Sequence, residues 1–244
     1  MEAITDLKIT VNPVEVITTD NRSIFIWLDL LGFSDFVNDG TKYIELADHL
    51  RKFQSSFLNS GSYTADIISD GIILRITKKN LALRGELSSI FKEIAQKQFE
   101  FTQETKVFIR GGISVGTKLD DDKEPNSLYI SNGLAKAVKI EGKYVSWPII
   151  GTTPDELNEI RSFLDVEGNE NFGLEKAFNK DGKDLFFIDF IGKSDGYYAL
   201  LNAKMEKHKE KSYIRNKYLW LLRYYHLKYA PDYTLDAVFE KVVL

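Results

Sequence analysis

Cysteine is absent from the chain, which excludes a disulfide framework, thiolate metal ligation and thiol catalysis, and fits a reducing compartment. Histidine is scarce: His49, His208 and His226 stand at scattered positions, without metal-site spacing or a neighbouring serine motif, and are assigned no chemistry. No stretch reaches the roughly 20 apolar residues that span a bilayer. The first residues, MEAITDLKITVNPVEV, lack a basic segment followed by an apolar run. The expectation is a cytoplasmic protein with no membrane partner. Charge of one sign is lacking too: 36 acidic and 32 basic residues are interspersed to a net −4, leaving no basic stripe for a nucleic acid. Internal repeats and low-complexity linkers are absent.

What is present is apolar bulk. Of 244 residues 43% are hydrophobic, with 16 Phe and 12 Tyr, enough to build a large core without staples. Residues 22–31 read as a strand. From Thr41, a candidate N-cap, Tyr43, Leu46, Ala47, Leu50, Phe53 and Phe57 recur at helical spacing. YTADIISDGIILRIT has two apolar runs around SDG and predicts a β-hairpin tipped by Asp70 and Gly71. A helix is expected from about Leu81 to Phe99, then a strand in KVFIRGGISVG, whose Gly111 and Gly112 mark close backbone approach or a bulge. A charged loop (TKLDDDKEPNS), a helix (LAKAVKIE), a strand (YVSWPIIG), a helix opened by Thr153 and Pro154, and a strand (LFFIDFI) follow. Residues 194–229 read as helical, with Tyr218, Leu219, Leu222 and Tyr225 on a packing face. The expected organisation is an N-terminal arm over 1–21, a main domain over 22–191 and a C-terminal helical extension over 192–244.

Asp29 sits in the middle of the apolar run IFIWLDLLGFSDF. An ionised carboxylate there must be paired, hydrogen-bonded, at a strand end or bound to a metal. The order βαββαβ over residues 22–116 is that of an α+β fold with a ferredoxin-like or palm sheet and helices on one face. In such a sheet the first strand neighbours the hairpin, which brings Asp29 and Asp70 together. Two carboxylates side by side suit a hard divalent cation such as Mg²⁺, which keeps several waters and completes its shell with substrate phosphates.

LDLLGF, SDGI, RGGISVG and LAKAVKIE resemble the core motifs of class III nucleotidyl cyclases, the adenylyl and guanylyl cyclase superfamily, over about residues 22–150. The resemblance implies that Asp29 and Asp70, with the Leu30 carbonyl, hold two metal ions per site, Mg²⁺ or Mn²⁺. It further implies that Lys139, two places before an acidic residue, acts on the transition state, and that a homodimer sets the carboxylates of one copy opposite Lys139 of the other. YVSWPII, KDGKDLFFIDFI and NKYLWLLRYYH are similar to a compact bacterial group, the anti-phage pyrimidine cyclases called Pycsar. The implied activity converts a nucleoside triphosphate to a 3′,5′-cyclic nucleotide and pyrophosphate.

Under that reading the backbone amides of Gly32 and Phe33 cradle the triphosphate, and Lys183 joins Lys139 in neutralising phosphate charge. Arg110 has two readings, a phosphate anchor or a structural ion pair. Three departures from the family pattern stand out. Ala135 replaces the ribose-orienting Asn four places before Lys139, and Asn132, two turns away, is the nearest substitute. Lys139 replaces an Arg and loses its planar fork. Asp66 replaces the adenine-selecting Lys four places before Asp70; as an acceptor-only group it suits guanine or cytosine, and Tyr63 could relax that rule. The alternatives are a degenerate cyclase fold that binds a nucleotide without turnover, and a scaffold whose carboxylates are structural.

Overall fold

A computed structural model describes residues 21–38, 42–119 and 130–229. Its centre is a sheet built from β1 (Arg22–Leu30), β2 (Thr64–Ile68), β3 (Gly71–Ile76), β4 (Ile109–Leu119), β6 (Ile150–Thr152), β7 (Leu174–Phe178) and β8 (Asp184–Ile188). The strands lie in the order β2-β3-β1-β4-β6-β8-β7, and the two-residue β5 (Ile130–Ser131) pairs with β4. The first four strands are antiparallel in the order β2-β3-β1-β4, which is the ferredoxin-like arrangement expected of βαββαβ. The fold is α+β, of the palm type. The β4–β6 pairing is parallel.

Period-two alternation assigns the two faces. Ile24, Ile26 and Leu28 of β1 pair with Val115, Ile113 and Gly111 of β4 and with Ile76, Leu74 and Ile72 of β3. This face packs on α2 (Tyr43–Leu58) and α4 (Leu87–Thr105) through Phe53, Phe57, Ile90, Ile94 and Phe101, all in one core. The opposite face carries Phe25, Trp27 and Asp29. Here α5 (Asn132–Lys143) docks directly on backbone: a Cβ at Gly112 would lie 2.0 Å from the Ala137 carbonyl oxygen, and one at Gly133 2.2 Å from the Phe25 ring. The glycine pair therefore marks close approach, and the helices occupy both faces of the sheet instead of the one expected. With both faces covered, β1 reads as a nearly unbroken apolar run.

Other boundaries differ from the periodicity. The single helix expected over 81–99 is two, α3 (Lys78–Arg84), opened by a Thr77–Asn80 capping box, and α4, which runs on to Thr105. Gly85, at φ +87°, breaks them where the apolar spacing runs on. α1 (Phe33–Asn38), β5 and β7 are additional, and of YVSWPIIG only Ile150 and Gly151 join the sheet, with Thr152 after them. α6 (Pro154–Phe163) starts as expected, the Thr153 hydroxyl accepting from the Glu156 N–H. The C-terminal helical stretch is interrupted after α7 (Asp195–Lys207) and resumes as α8 (Ser212–Tyr229), whose Tyr218, Leu219, Leu222 and Tyr225 are buried. Tyr218 and Tyr197 both pack on Phe108, so these helices share the sheet's core. Thr41 and residues 120–127 of the charged loop lie outside the described residues. Among the described residues no helix is long and apolar enough to cross a membrane.

Candidate active site

Asp29 is the penultimate residue of β1, facing Gly71 of β3 on one side and Arg110 of β4 on the other. Gly71 has no room for a side chain, because a Cβ there would lie 1.9 Å from the Trp27 indole. The hairpin turn at Ser69, in the left-handed region at φ +56°, places Asp70 next to that glycine and so beside Asp29. Strand pairing thus joins two carboxylates that are remote in sequence.

Asp29 is not a comfortable carboxylate. Burial, then the negative charges of Glu141 and Asp70, push its pKa from 3.8 up to about 6, against the opposing pull of Arg110 and of the Leu30 N–H. The Arg110 guanidinium lies 3.8 Å from Asp29 and ion-pairs closely with Glu141 of α5. Burial raises Glu141 as well, more than Arg110 and Lys217 lower it. Arg110 is thus an ion-pair residue at the Asp29 end of the sheet, and both of its sequence readings remain compatible with that position.

Asp29, Leu30, Gly32, Phe33, Asp70 and Arg110 line one cleft of about 380 Å³. Among the described residues no group of three or more His, Cys, Asp or Glu side chains is placed to hold a metal. Two adjacent carboxylates, with the Leu30 backbone at the same cleft, fit an ion that retains several waters and takes further oxygens from a phosphate. They do not form a closed protein cage.

Lys139 and Lys183 are brought together, but elsewhere. They line a second cleft of about 450 Å³ with Lys136, Tyr144 and Glu156. Lys183 closes the β7–β8 turn, where its N–H donates to the Asn179 side chain. Lys136 is committed to Glu156 at 3.2 Å, whereas the ammonium groups of Lys139 and Lys183 have no ion-pair partner among the described residues. Asn132 stands exposed in the first turn of α5, its Oδ1 accepting from the Thr117 N–H at 2.7 Å. Ala135 is also exposed.

Asp66 faces Ile73, which faces Trp27, so it lies on the Asp29 side of the sheet, exposed on the edge strand β2. It lines neither cleft. Tyr63 does not join it: its ring is buried in the core of the other face and its hydroxyl accepts from Lys97 at 3.0 Å. The proposal that Tyr63 relaxes base selection is therefore withdrawn.

The sequence reading missed the far wall of the first cleft. His208 and, from α8, Tyr213, Ile214, Lys217 and Tyr218 line it opposite the carboxylates. The helical period had marked Tyr218 as packing, and nothing in that pattern signalled Lys217.

No family model matches the chain, and no curated protein matches its sequence. Solved structures that overlap it are cyclase domains. The guanylyl cyclase Cya2 aligns at 15% identity and a TM-score of 0.46, over 71% of this chain and 94% of its own. The adenylyl cyclase CyaB from P. aeruginosa aligns at 10% and 0.46, over 72% and 96%. The guanylyl cyclase domain of the RhoGC fusion protein from Blastocladiella emersonii aligns at 9% and 0.44, over 69% and 93%. Overlap at this level decides neither activity nor substrate.

Proposed function

We propose that the chain is a nucleotidyl cyclase that closes a nucleoside triphosphate to its 3′,5′-cyclic monophosphate. The observation that carries this reading is the convergence of Asp29 and Asp70, from β1 and the β2–β3 turn, in one cleft beside Arg110. In the reaction the ribose 3′-oxygen forms a bond to the α-phosphorus, the bond from that phosphorus to the bridging oxygen breaks, pyrophosphate leaves and the hydroxyl proton passes to solvent. Asp29, Asp70 and the Leu30 carbonyl would hold Mg²⁺ or Mn²⁺, which when bound acidifies the 3′-hydroxyl and neutralises the leaving group. Arg110 lies where it can meet phosphate charge, and Gly32 and Phe33 border the same cleft.

Lys139 and Lys183 lie in a separate cleft of the same chain. In a two-fold homodimer they would face the carboxylates of the other copy, giving two equivalent shared sites. Asp66, exposed on the Asp29 side of the sheet, only accepts hydrogen bonds and so favours a base that offers N–H groups. ATP is then not the preferred substrate. Cytidine and guanosine triphosphates satisfy Asp66 directly, and a pyrimidine cyclase of the Pycsar type in anti-phage defence is the subtype consistent with this choice. One observation favours binding without turnover: the exposed methyl of Ala135 offers nothing to orient a ribose.

Incubation with each of the four triphosphates and Mg²⁺ or Mn²⁺, followed by mass spectrometry, tests the reading. A cyclic monophosphate is expected from at least one. Binding of a triphosphate with no cyclic product from any of the four would establish the non-catalytic alternative.

A further inference from the structure

We propose that Lys217 of α8 is a phosphate-binding residue of the Asp29–Asp70 cleft, supplied by the same chain that supplies the carboxylates, and that it holds the polyphosphate tail of the substrate. The inference rests on the function proposed above and extends it to the C-terminal helices.

Position is the first argument. Lys217 is partly buried in the wall of the cleft facing Asp29, Asp70 and Arg110. It is fixed there because α8 is anchored by its neighbour Tyr218, whose ring lies 5.3 Å from Phe108, and by the buried Leu221 and Leu222. Packing accounts for those residues and leaves Lys217 without a structural task.

The second argument is the state of the ammonium. Among the described residues Lys217 has no hydrogen bond and no ion pair within 4.0 Å; its nitrogen sits 5.8 Å from the centre of the Tyr213 ring. Glu141, the carboxylate whose charge it feels, is already engaged by Arg110. A cation partly withdrawn from water gains from an anion that meets it, and under the proposed function the cleft's own Asp29 and Asp70 would be engaged by metal. Burial and Arg110 lower the pKa of Lys217, consistent with an ammonium short of negative charge.

Chemical type is the third. Asp29, Asp70 and Glu141 outnumber Arg110 and Lys217 by one charge, and divalent ions on the aspartates would reverse that balance. The cleft then calls for a multiply charged anion, and a lysine on a flexible stem serves phosphate as a mobile point charge.

The experiment titrates the full-length chain calorimetrically, in Ca²⁺ to suppress turnover, with the α,β-methylene analogues of the four nucleoside triphosphates and with inorganic tripolyphosphate. Lys217→Met keeps the apolar stem over Tyr213, and Lys217→Arg restores the charge. Lys217→Met should weaken the preferred analogue and tripolyphosphate alike, by about tenfold, with an undiminished melting temperature, and Lys217→Arg should recover most of the loss. Wild-type affinity in Lys217→Met overturns the inference while leaving the cyclase reading intact. A loss confined to the nucleotide, with tripolyphosphate unaffected, overturns the phosphate assignment. If wild-type protein binds neither probe, the proposed function fails and the inference with it.

Discussion

The two clefts differ in the charge they hold and in how firmly they hold it. The first holds two partly buried carboxylates, Asp29 and Asp70, with Arg110 between Asp29 and the buried Glu141 of α5. The second is mixed: Lys139 and Lys183 are exposed and, among the described residues, not ion-paired, while Glu156 and Asp184 of the same lining pair with Lys136 and Lys176. A site that handles a triphosphate needs both kinds of group within a few ångströms of one substrate, and a single chain keeps them apart. Under the proposed function the two clefts are complementary halves of one site, which a symmetric pair would unite.

The comparison breaks most sharply at the carboxylates. Asp29→Asn and Asp70→Asn should each lower turnover by at least about a thousandfold and weaken Mn²⁺ binding, since each removes an anionic ligand that the other cannot replace. Wild-type activity in either variant would end the two-metal reading. The next effect concerns the separation of the halves. Mixing inactive Asp29→Asn and Lys139→Ala proteins, with time for subunit exchange, should restore about a quarter of wild-type activity, because half of the dimers are hybrids and each hybrid has one intact site. A fully active monomer, shown by light scattering at assay concentration, would instead place both halves in one chain.

Smaller effects sharpen the picture. The Asp29 carboxyl titrates near 6 in the folded chain against 3.8 ordinarily, so in metal-free protein its charge opposes folding above pH 6, less so between 6 and 4, and not at all below 4. Asp29→Asn should therefore stabilise the chelator-treated protein by about 1–2 kcal/mol at pH 7.5 and by nothing at pH 3.5. Urea titrations at the two pH values check this, and an equal difference at both would remove charge repulsion as the cause. Asp66→Asn should shift the order of initial rates among the four triphosphates by a few-fold, about 1 kcal/mol or less, and leave stability unchanged. An unaltered order would take Asp66 out of base selection.

Much of the first cleft was legible in the sequence. An aspartate in an apolar strand and another in an SDG turn, set in a βαββαβ order, have few ways to avoid meeting, and Gly71 and Gly112 are glycines because Trp27 and the Ala137 carbonyl occupy the space a side chain would need. Short elements escaped notice: α1 and β5 are too brief for a period to register. The α3–α4 break was hidden because Leu83, Leu87, Ile90 and Ile94 keep helical spacing across Gly85. Tyr63 was misplaced although it stands three residues from Asp66, an odd interval that turns it to the other side of the pleat. Lys217 was beyond reach for a different reason. A helical period tells which residues are buried, but the cleft into which a long side chain extends is set by how α8 packs on Phe108, a contact between distant parts of the chain.

Helix α5 belongs to both clefts. Glu141 turns toward Arg110 at the first, and Lys139, two positions earlier and so about 200° around the axis, borders the second. Seated on bare backbone at Gly112 and Gly133, the helix has little freedom to roll or slide. It acts as a gauge block: the spacing between the Arg110–Glu141 pair and Lys139 is set within the single chain. A one-residue insertion between Lys139 and Glu141 would rotate one group away whichever way the helix settled, spoiling one of the two clefts without altering Asp29 or Asp70.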